Sequence, residues 1–339
     1  MTVALTGGGT GGHLAIVRCL LESAIKKNIE CVYIGSQNGQ DKTWFENETR
    51  FKAKFFLSSK GVVNQKKFDK FSSFFHTLKL SKDCKEIFKQ YQIRAVFSVG
   101  GYSAAPASFA ALFSRLPLFI HEQNSKSGSL NLLLKPFAAK FFSAFEKELS
   151  PYPVADKFFD KARIRKELKN VIFLGGSQGA KFINELALNL APKLKEQNIK
   201  IIHQCGKNDF EKCKKHYQNL NIQADVFDFS PNLEEKMNNA DLAISRAGAS
   251  TLFELCANTL PTIFIPYPYA AKNHQYFNAK FLQDQALCQI FTQDTLKPDE
   301  FFKAMLKLNL KDISTRLQNI AQKNGADTLI QKALLTLAR

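Results

Sequence analysis

The strongest constraint on the fold of this chain is a repeated order of apolar run, glycine-rich loop and helix-forming stretch. The apolar run at residues 3–6 enters the loop GGGTGGH at residues 7–13, and residues 14–27 then carry apolar side chains at helical spacing. The same order restarts where residues 170–174 enter the loop GGSQGA at residues 175–180. Strands that alternate with helices form parallel sheets. The sequence therefore predicts an α/β protein with two Rossmann-like domains.

Other short runs of β-forming residues support this prediction. They lie at residues 31–34, 95–99, 118–120, 199–203, 242–245 and 262–265. The length of 339 residues also corresponds to about two domains. Because Pro151 and Pro153 form the only proline pair between the halves, we predict an N-terminal domain over residues 1–152 and a C-terminal domain over residues 153–314. The stretch from residue 313 to residue 339 is predicted to be helical.

The glycine loops predict an anionic ligand. Ligands of open α/β sheets bind at the carboxyl ends of the strands, where each of these loops lies. A glycine loop that opens a helix binds anions, because the backbone can approach closely and the helix N-terminus presents free N–H groups. One such loop is equally well explained as a tight turn. Several loops divided between two halves indicate a diphosphate, held in a cleft if the domains face each other.

Other motifs indicate which cofactors and metal ions this chain does not use. Residues 7–12 fit the dinucleotide pattern G-x-G-x-x-G, but the second strand closes with Gly35 and Ser36 instead of the acidic residue that would hold a ribose. No P-loop motif and no D-x-D pair occurs. The seven cysteines include no C-x-x-C pair, which predicts reduced thiols and no zinc site. We therefore expect no metal and no cofactor.

The charge balance indicates an anionic partner. The formal net charge is +17, which suits nucleic acid, anionic lipid or a phosphorylated substrate, although codon bias toward Lys, Asn and Phe explains it as well.

The N-terminus has no basic region ahead of an apolar run, so we expect no cleaved signal peptide. Since no segment offers the ~20 apolar residues of a spanning helix, we expect a protein that is soluble or rests on a membrane surface.

Five motifs together resemble a family of bacterial peptidoglycan glycosyltransferases. They occur in the order GGTGGH (8–13), GGYS (100–103), HEQN (121–124), GGSQGA (175–180) and HQYFNA (274–279), and the resemblance covers essentially the whole chain. It implies the GT-B architecture, in which two Rossmann-like domains face an interdomain cleft and a last helix, about residues 315–339, packs back on the N-terminal domain. It also implies an inverting transfer of N-acetylglucosamine from UDP-GlcNAc to the C4 hydroxyl of the muramoyl sugar of lipid I, giving lipid II.

The resemblance assigns roles to individual residues. His13 is the expected general base, since the helix N-terminus disfavours a charged imidazolium there. The UDP-GlcNAc contacts are expected to be Thr10, Gly11, Gly12, Asn124, Ser177, Glu254 and Gln275. The alternatives are a structural His13, a helix-capping Ser177 and a solvated helix carboxylate at Glu254.

One position departs from the family pattern. Many members carry Asn-Pro-Val-Arg between the domains, where the arginine contacts the nucleotide, but residues 152–155 read Tyr-Pro-Val-Ala. Arg163 and Arg165 are the nearest candidates to replace it. His121 and Glu122 are interpreted as supporting or packing residues.

A membrane contact is expected as well, because lipid I stays in the membrane. Lysines and phenylalanines interleave over residues 66–79, with Phe68, Phe71 and Phe75 on one helical face, and residues 135–140 add to this patch. This predicts a peripheral protein on the cytoplasmic face of the bacterial inner membrane, with no nucleic acid partner. An ordinary helix that packs its phenylalanines into the core is the alternative.

Three other functions remain open from the residues alone. A nucleotide-sugar epimerase would use the same fold without a lipid acceptor. A NAD-dependent oxidoreductase fits the first glycine loop but lacks the acidic residue. A basic binding module would account for the charge but leaves the ordered glycine loops unexplained.

Overall fold

The computed structural model describes residues 1–59, 67–146, 150–176 and 179–338, without the side chains of residues 67–72 and 74. It divides into two compact units. Unit 1 comprises Met1–Val154 together with Asn324–Arg339, and unit 2 comprises Ala155–Lys323.

Unit 1 is built on a parallel sheet of six strands in the order β3-β2-β1-β4-β5-β6. The strands are β1 (Thr2–Thr6), β2 (Glu30–Ser36), β3 (Ala53–Leu57), β4 (Ile93–Ser98), β5 (Leu118–Glu122) and β6 (Lys140–Ser143). All five residues of β1 are buried, because helices cover both faces of a parallel sheet. The helices of this unit are α1 (Gly11–Lys26), α2 (Asp41–Phe45), α3 (Lys67–Gln90), α4 (Ala105–Phe113), α5 (Ser129–Leu134) and α14 (Gly325–Leu337).

Unit 2 repeats this architecture with a parallel sheet in the order β12-β11-β10-β7-β8-β9. Its strands are β7 (Asn170–Leu174), β8 (Lys200–Gln204), β9 (Ala224–Phe227), β10 (Leu242–Ser245), β11 (Thr262–Phe264) and β12 (Cys288–Ile290). Its helices are α6 (Asp156–Asp160), α7 (Lys181–Glu196), α8 (Phe210–Asn219), α9 (Leu233–Asn239), α10 (Ala249–Ala257), α11 (His274–Gln283), α12 (Pro298–Leu306) and α13 (Leu310–Leu317). The predicted α/β class with two parallel sheets is confirmed.

The C-terminal stretch differs from its prediction. Instead of one helix over residues 313–339, it forms α13 and α14, separated by residues 318–324. Asn324, directly before α14, adopts a left-handed conformation with φ 61°, so α14 begins as a separate helix. Gly325 then begins α14 so close to the backbone that a Cβ there would lie 2.6 Å from the carbonyl oxygen of Tyr152. Within unit 1, α14 packs against α1.

Candidate functional site

The candidate site of unit 1 lies where β1, β4 and β5 end. These strands are neighbours in the sheet, so the loops that follow them meet at its carboxyl edge. The chain leaves β1 toward β2 on one side of the sheet and later returns to β4 on the other side. Such a reversal of strand order opens the crevice in which α/β proteins bind their ligands.

The first two glycine loops pack directly on each other. Gly7 has φ 123°, and a Cβ there would lie 2.6 Å from the carbonyl oxygen of Gly100. The amide of Gly8 donates to that same oxygen at 3.3 Å. Gly101 has φ 79° and leaves no room for a Cβ beside the carbonyl oxygen of Gly8. Glycine is therefore required on both loops, and together they form a dense base for the start of α1.

His13 lies in the first turn of α1, half-buried, with Thr10 beside Nδ1 and Gln123 near both ring nitrogens. The Thr10 hydroxyl oxygen lies 2.9 Å from Nδ1, and the amide nitrogen of Gln123 lies 3.0 Å from Nε2. An amide nitrogen only donates, and this one lies closer to Nε2 than to Nδ1, at 3.0 Å against 3.4 Å. We therefore assign Nε2 as the acceptor from Gln123 and the ring proton to Nδ1, which donates to Thr10. The ring therefore presents a lone pair at Nε2, as a general base requires.

Asn124 is positioned by the buried carboxylate of Glu122. The amide of Asn124 donates to Glu122 Oε1 at 2.9 Å, and the amide of Gly128 donates to Oε2 at 2.9 Å. Asn131 adds a third donor through its side-chain amide at 3.0 Å from Oε2. Glu122 thus fixes both ends of the loop that carries Asn124, which makes it a supporting residue, as expected.

His121 lies on the other face of β5 and stays uncharged. Burial lowers the pKa of His121 to about 3, and the nearby His13 acts on it in the same direction. Neither ring nitrogen has a hydrogen-bond partner among the described residues, and the ring packs edge-on against Tyr152 with centroids 5.4 Å apart. His121 is therefore a packing residue close to His13, as expected.

In unit 2 the third glycine loop follows β7 and opens α7. Gly179 has φ 75°, and a Cβ there would lie 2.6 Å from the carbonyl oxygen of Cys205. The side chain of Asn184, on α7, donates to that same oxygen at 3.0 Å, and its own oxygen lies 3.0 Å from the ring of buried His203. Burial lowers the pKa of His203 to about 4, so the imidazole that contacts Asn184 is uncharged. Ser177, the predicted diphosphate contact on this loop, lies outside the described residues.

Gln275 joins two other loops at the carboxyl edge of this sheet. Its side-chain oxygen accepts from the amide of Tyr267 at 2.9 Å and from the amide of Ala247 at 3.3 Å. These amides belong to the loops after β11 and β10. The side-chain nitrogen of Gln275 is thereby turned away from both amides.

Glu254 is a half-buried carboxyl group on α10 with an unusual proton affinity. Burial raises its pKa to about 7, the nearby Lys157 opposes that rise, and the nearby Glu234 adds to it. Lys157 itself forms an ion pair with Glu234 at 2.7 Å, so its positive charge is partly neutralised. Glu254 can therefore either accept or donate a hydrogen bond near neutral pH.

The two arginines after the interdomain prolines serve unit 2 itself. Arg165 is fully buried, and its guanidinium donates to the carbonyl oxygens of Ala240 and Met237 and to the Asn258 side chain. Arg163 donates to Asp241 at 2.8 Å. Since both groups are held by the protein, the structure offers neither as a replacement for the family's junction arginine.

An apolar surface is exposed on α5 and the turn after it. Leu132, Leu133 and Phe137 are 57%, 58% and 64% exposed, and Phe75 on α3 is 66% exposed. Lys135, in the same segment, bonds to Glu146 at 2.7 Å, which partly neutralises it. Lys66 and the side chains of Lys67, Phe68, Lys70 and Phe71 lie outside the described residues. No helix in the described ranges is long and apolar enough to span a membrane.

The structure brings together some of the predicted residues and adds others. Thr10 and the first residues of α1, Gly11, Gly12 and His13, lie in unit 1, as does the loop after β5 that carries Asn124. Glu254 lies on α10 and Gln275 in the first turn of α11, both in unit 2. Gln123 was not predicted, although it continues β5 with the alternation that places it on the face of His121. Where the structure describes the chain, no group of three or more His, Cys, Asp or Glu side chains could hold a metal ion.

Two Rossmann-like units with glycine loops at the carboxyl edges of their sheets define the GT-B class of glycosyltransferases. A solved member with this fold is the MurG protein of Acinetobacter baumannii, which is 27% identical and superimposes with a TM-score of 0.79 over 100% of this chain and 99% of that one. The family descriptions of the glycosyltransferase family 28 N-terminal domain and C-terminal domain match residues 3–143 and 170–333. The chain belongs to glycosyltransferase family 28, so the predicted resemblance is confirmed.

Curated relatives match the chain from end to end. It is 89% identical over 98% of both chains to the UDP-N-acetylglucosamine–N-acetylmuramyl-(pentapeptide) pyrophosphoryl-undecaprenol N-acetylglucosamine transferase of Campylobacter jejuni strain 81-176. The transferase of the same name from Campylobacter fetus is 52% identical over 98% of this chain and 99% of its own. The UDP-GlcNAc 2-epimerase of Neisseria meningitidis, at 11% identity and a TM-score of 0.64 over the whole of both chains, shares the fold alone.

Proposed function

We propose that this chain is the hexosyltransferase that moves N-acetylglucosamine from UDP-GlcNAc to the C4 hydroxyl of the muramoyl sugar of lipid I, giving lipid II for peptidoglycan synthesis. Its relatives at 89% and 52% identity carry this donor and acceptor in their names. Within the structure, the proposal is carried by the His13 ring, whose Nε2 lone pair is oriented by Thr10 and Gln123.

The reaction needs one proton acceptor and a site for the departing diphosphate. The C4 hydroxyl displaces the Gln123 amide from His13 Nε2 and gives its proton to that nitrogen as its oxygen bonds to the anomeric carbon. The bond from that carbon to the phosphate oxygen breaks, and its electron pair leaves with UDP. Attack opposite the leaving group inverts the anomeric centre, and Thr10 stabilises the imidazolium through Nδ1–H.

Donor contacts are assigned to both units. The backbone amides of Gly11 and Gly12, at the start of α1, and the glycine loop that opens α7, with Ser177 as its predicted contact, suit the diphosphate. Glu254 accepts from the ribose hydroxyls when it is ionised. Asn124 and the side-chain nitrogen of Gln275 bind the sugar hydroxyls, and stabilising the negative charge that develops on UDP lowers the barrier directly.

An assay of UDP release tests the proposal. The enzyme, without added metal, is incubated with UDP-GlcNAc and a soluble lipid I analogue, and the disaccharide product is identified. Acceptor-dependent UDP release is expected, and H13A should lower kcat roughly 100-fold or more while UDP-GlcNAc binding is kept. The exposed-histidine variant H216A is the matched control. Release of a C2 epimer without acceptor would support the epimerase instead, and near wild-type kcat in H13A would remove His13 from the chemistry.

The chain is proposed to reach lipid I by resting on the cytoplasmic surface of the inner membrane through unit 1. The exposed side chains Leu132, Leu133, Phe137 and Phe75 supply apolar area. The lysines of residues 66–79 supply attraction to anionic lipid, at about 1 kcal/mol for each lysine near the surface.

A further inference from the structure

Asp41 is a buried carboxylate beside the first glycine loop that no motif singled out. It is the first residue of α2 and is fully buried. One carboxylate oxygen accepts from the amide of Gly9, and the other accepts from the amide of Ser36 at 2.9 Å. In the described part of the chain it has no lysine or arginine partner. Burying a carboxyl group that only backbone amides compensate costs free energy, which indicates a role beyond packing.

The loop fits closely around this carboxylate. A Cβ on Gly8 would overlap the carboxylate of Asp41, so only glycine allows the approach. On the other side, the ring of Tyr102 would lie 2.7 Å from a Cβ on Gly9. The Tyr102 hydroxyl donates to the carbonyl oxygen of Asn38 at 2.7 Å, which ties that ring to the segment leading into α2.

The three consecutive glycines of this loop each have a separate anchor. The Tyr33 hydroxyl donates to the carbonyl oxygen of Gly7 at 3.1 Å, and Gly8 donates to Gly100 at 3.3 Å. Asp41 is the anchor of Gly9. Gly9 directly precedes Thr10, whose hydroxyl contacts His13 Nδ1 at 2.9 Å. The position of Asp41 therefore determines, through two covalently joined residues, where the partner of the His13 ring stands.

We infer that Asp41 is a positioning residue for the transfer reaction: it holds Gly9, and through Gly9 and Thr10 it fixes the His13 imidazole in the orientation that accepts the acceptor's proton. The inference rests on the proposed function. Asp41 does not touch the reacting atoms, and its effect passes through His13. Misplacing a catalytic group by about 1 Å can cost about 100-fold in rate, so the loss of this anchor should appear mainly in kcat.

The test is a double-mutant cycle between Asp41 and His13 in the full chain. D41N is isosteric, but its amide nitrogen must face one of the two backbone amides, so one bond is lost and two donors oppose each other. We expect D41N to lower kcat roughly tenfold or more, with the KM for UDP-GlcNAc changed roughly twofold or less. In the H13A background, D41N should change the residual rate less than about twofold, because its route to the reaction is already removed.

A second variant and a control keep the test decisive. Y102F loosens the same loop from the opposite side without changing charge, and it replaces D41N if that variant does not fold. We expect it to show a smaller kcat loss that also disappears in the H13A background. K42A, an exposed position on the same short helix, should keep wild-type kcat. Thermal unfolding reports any general loss of stability.

The outcomes separate this inference from the proposed function. If the wild type fails to transfer the sugar, the proposed function is wrong. If the wild type is active, the inference is overturned by wild-type kcat in both D41N and Y102F, or by losses of the same factor with and without His13. A kcat loss confined to enzyme that retains His13 supports it.

Discussion

Gln123 controls which nitrogen of His13 is available to the acceptor. The nitrogen of its side-chain amide lies 3.0 Å from His13 Nε2 and can only donate a hydrogen bond there. In the variant Q123E a carboxylate would face the same nitrogen and favour the protonated ring. We expect the acidic limb of the kcat–pH profile to move upward by roughly one to two pH units, with activity recovering at high pH. The exposed Gln283 provides the control Q283E, and an unchanged profile in Q123E would contradict the assigned tautomer.

Glu254 makes the stability of unit 2 depend on pH in a defined direction. Its pKa is about 7 in the folded protein, against an ordinary value of 4.5 for a solvated glutamate, so the folded chain binds more protons between these values. The free energy of unfolding therefore falls as pH rises from 4.5 to 7. E254Q removes this penalty, and we expect it to stabilise the protein by about 1–3 kcal/mol at about pH 8 and not at all near about pH 4.

Denaturant unfolding at both pH values measures this difference, with the exposed Glu235 as the control E235Q. A raised KM for UDP-GlcNAc in E254Q would accompany the gain if the carboxylate accepts from the ribose. Equal stabilisation at both pH values would show that burial does not raise the pKa of Glu254.

The residues of the site differ in how far sequence could identify them. His13 stands in a glycine loop at a helix start, so its motif indicates its role. Gln123 follows from strand alternation once β5 is known. Asp41 has no such signal, because its importance comes from a loop that is distant in sequence and closes on it. The two arginines offered as replacements were natural candidates by position, but their burial depends on tertiary contacts.

The exposed end of helix α5 predicts a membrane contact. Replacing Leu133 and Phe137 by serine removes exposed apolar area without disturbing the core. Replacing Lys66, Lys67 and Lys70 by glutamate reverses the charge of the predicted basic stretch. We expect both variants to bind anionic vesicles several-fold less tightly and to keep their activity on a soluble acceptor. Co-sedimentation with vesicles measures the binding.

The exposed Leu306 of unit 2 gives the matched control L306S. Vesicle binding that is unchanged in both variants would reject this surface. Vesicle binding measured at several salt concentrations is a second test, because only the contribution of the lysines should weaken as ionic strength rises.

Elements with strong local patterns were predictable, and those decided by tertiary contacts were not. The strands before glycine loops have β-forming runs and turn signals, and β7 and β10 have the predicted bounds. The break between α13 and α14 has only a weak local signal, Asn324 followed by Gly325. What fixes it is the close approach of Gly325 to Tyr152, which no local pattern encodes.

The stability of unit 1 depends on two separate segments of the chain, Met1–Val154 and Asn324–Arg339. α14 buries Leu329, Ile330 and Ala333 within unit 1, each 1% exposed. A chain that stops at Lys323 would expose the facing side of α1. Burial of two large aliphatic side chains contributes about 3–6 kcal/mol, so we expect unit 1 to lose at least about 3 kcal/mol while unit 2 keeps its stability.

Hydrogen exchange followed peptide by peptide distinguishes the units in this truncated chain. Faster exchange is expected in α1 and β1, with β7 and α7 unchanged. The double variant L329A/I330A in the full chain is a milder form of the same test. Equal exchange in both units would mean that α14 adds nothing to unit 1.

The split composition of unit 1 has a consequence for biosynthesis. A ribosome completes residues 155–323 before it makes α14, so the unit encoded second can be finished while the unit encoded first still lacks its closing helix. Until α14 has been made, the nascent α1 presents an uncovered apolar face. Chaperones that act on emerging chains should therefore dwell on the N-terminal half, and a translational pause before residues 325–337 are made would prolong that exposure.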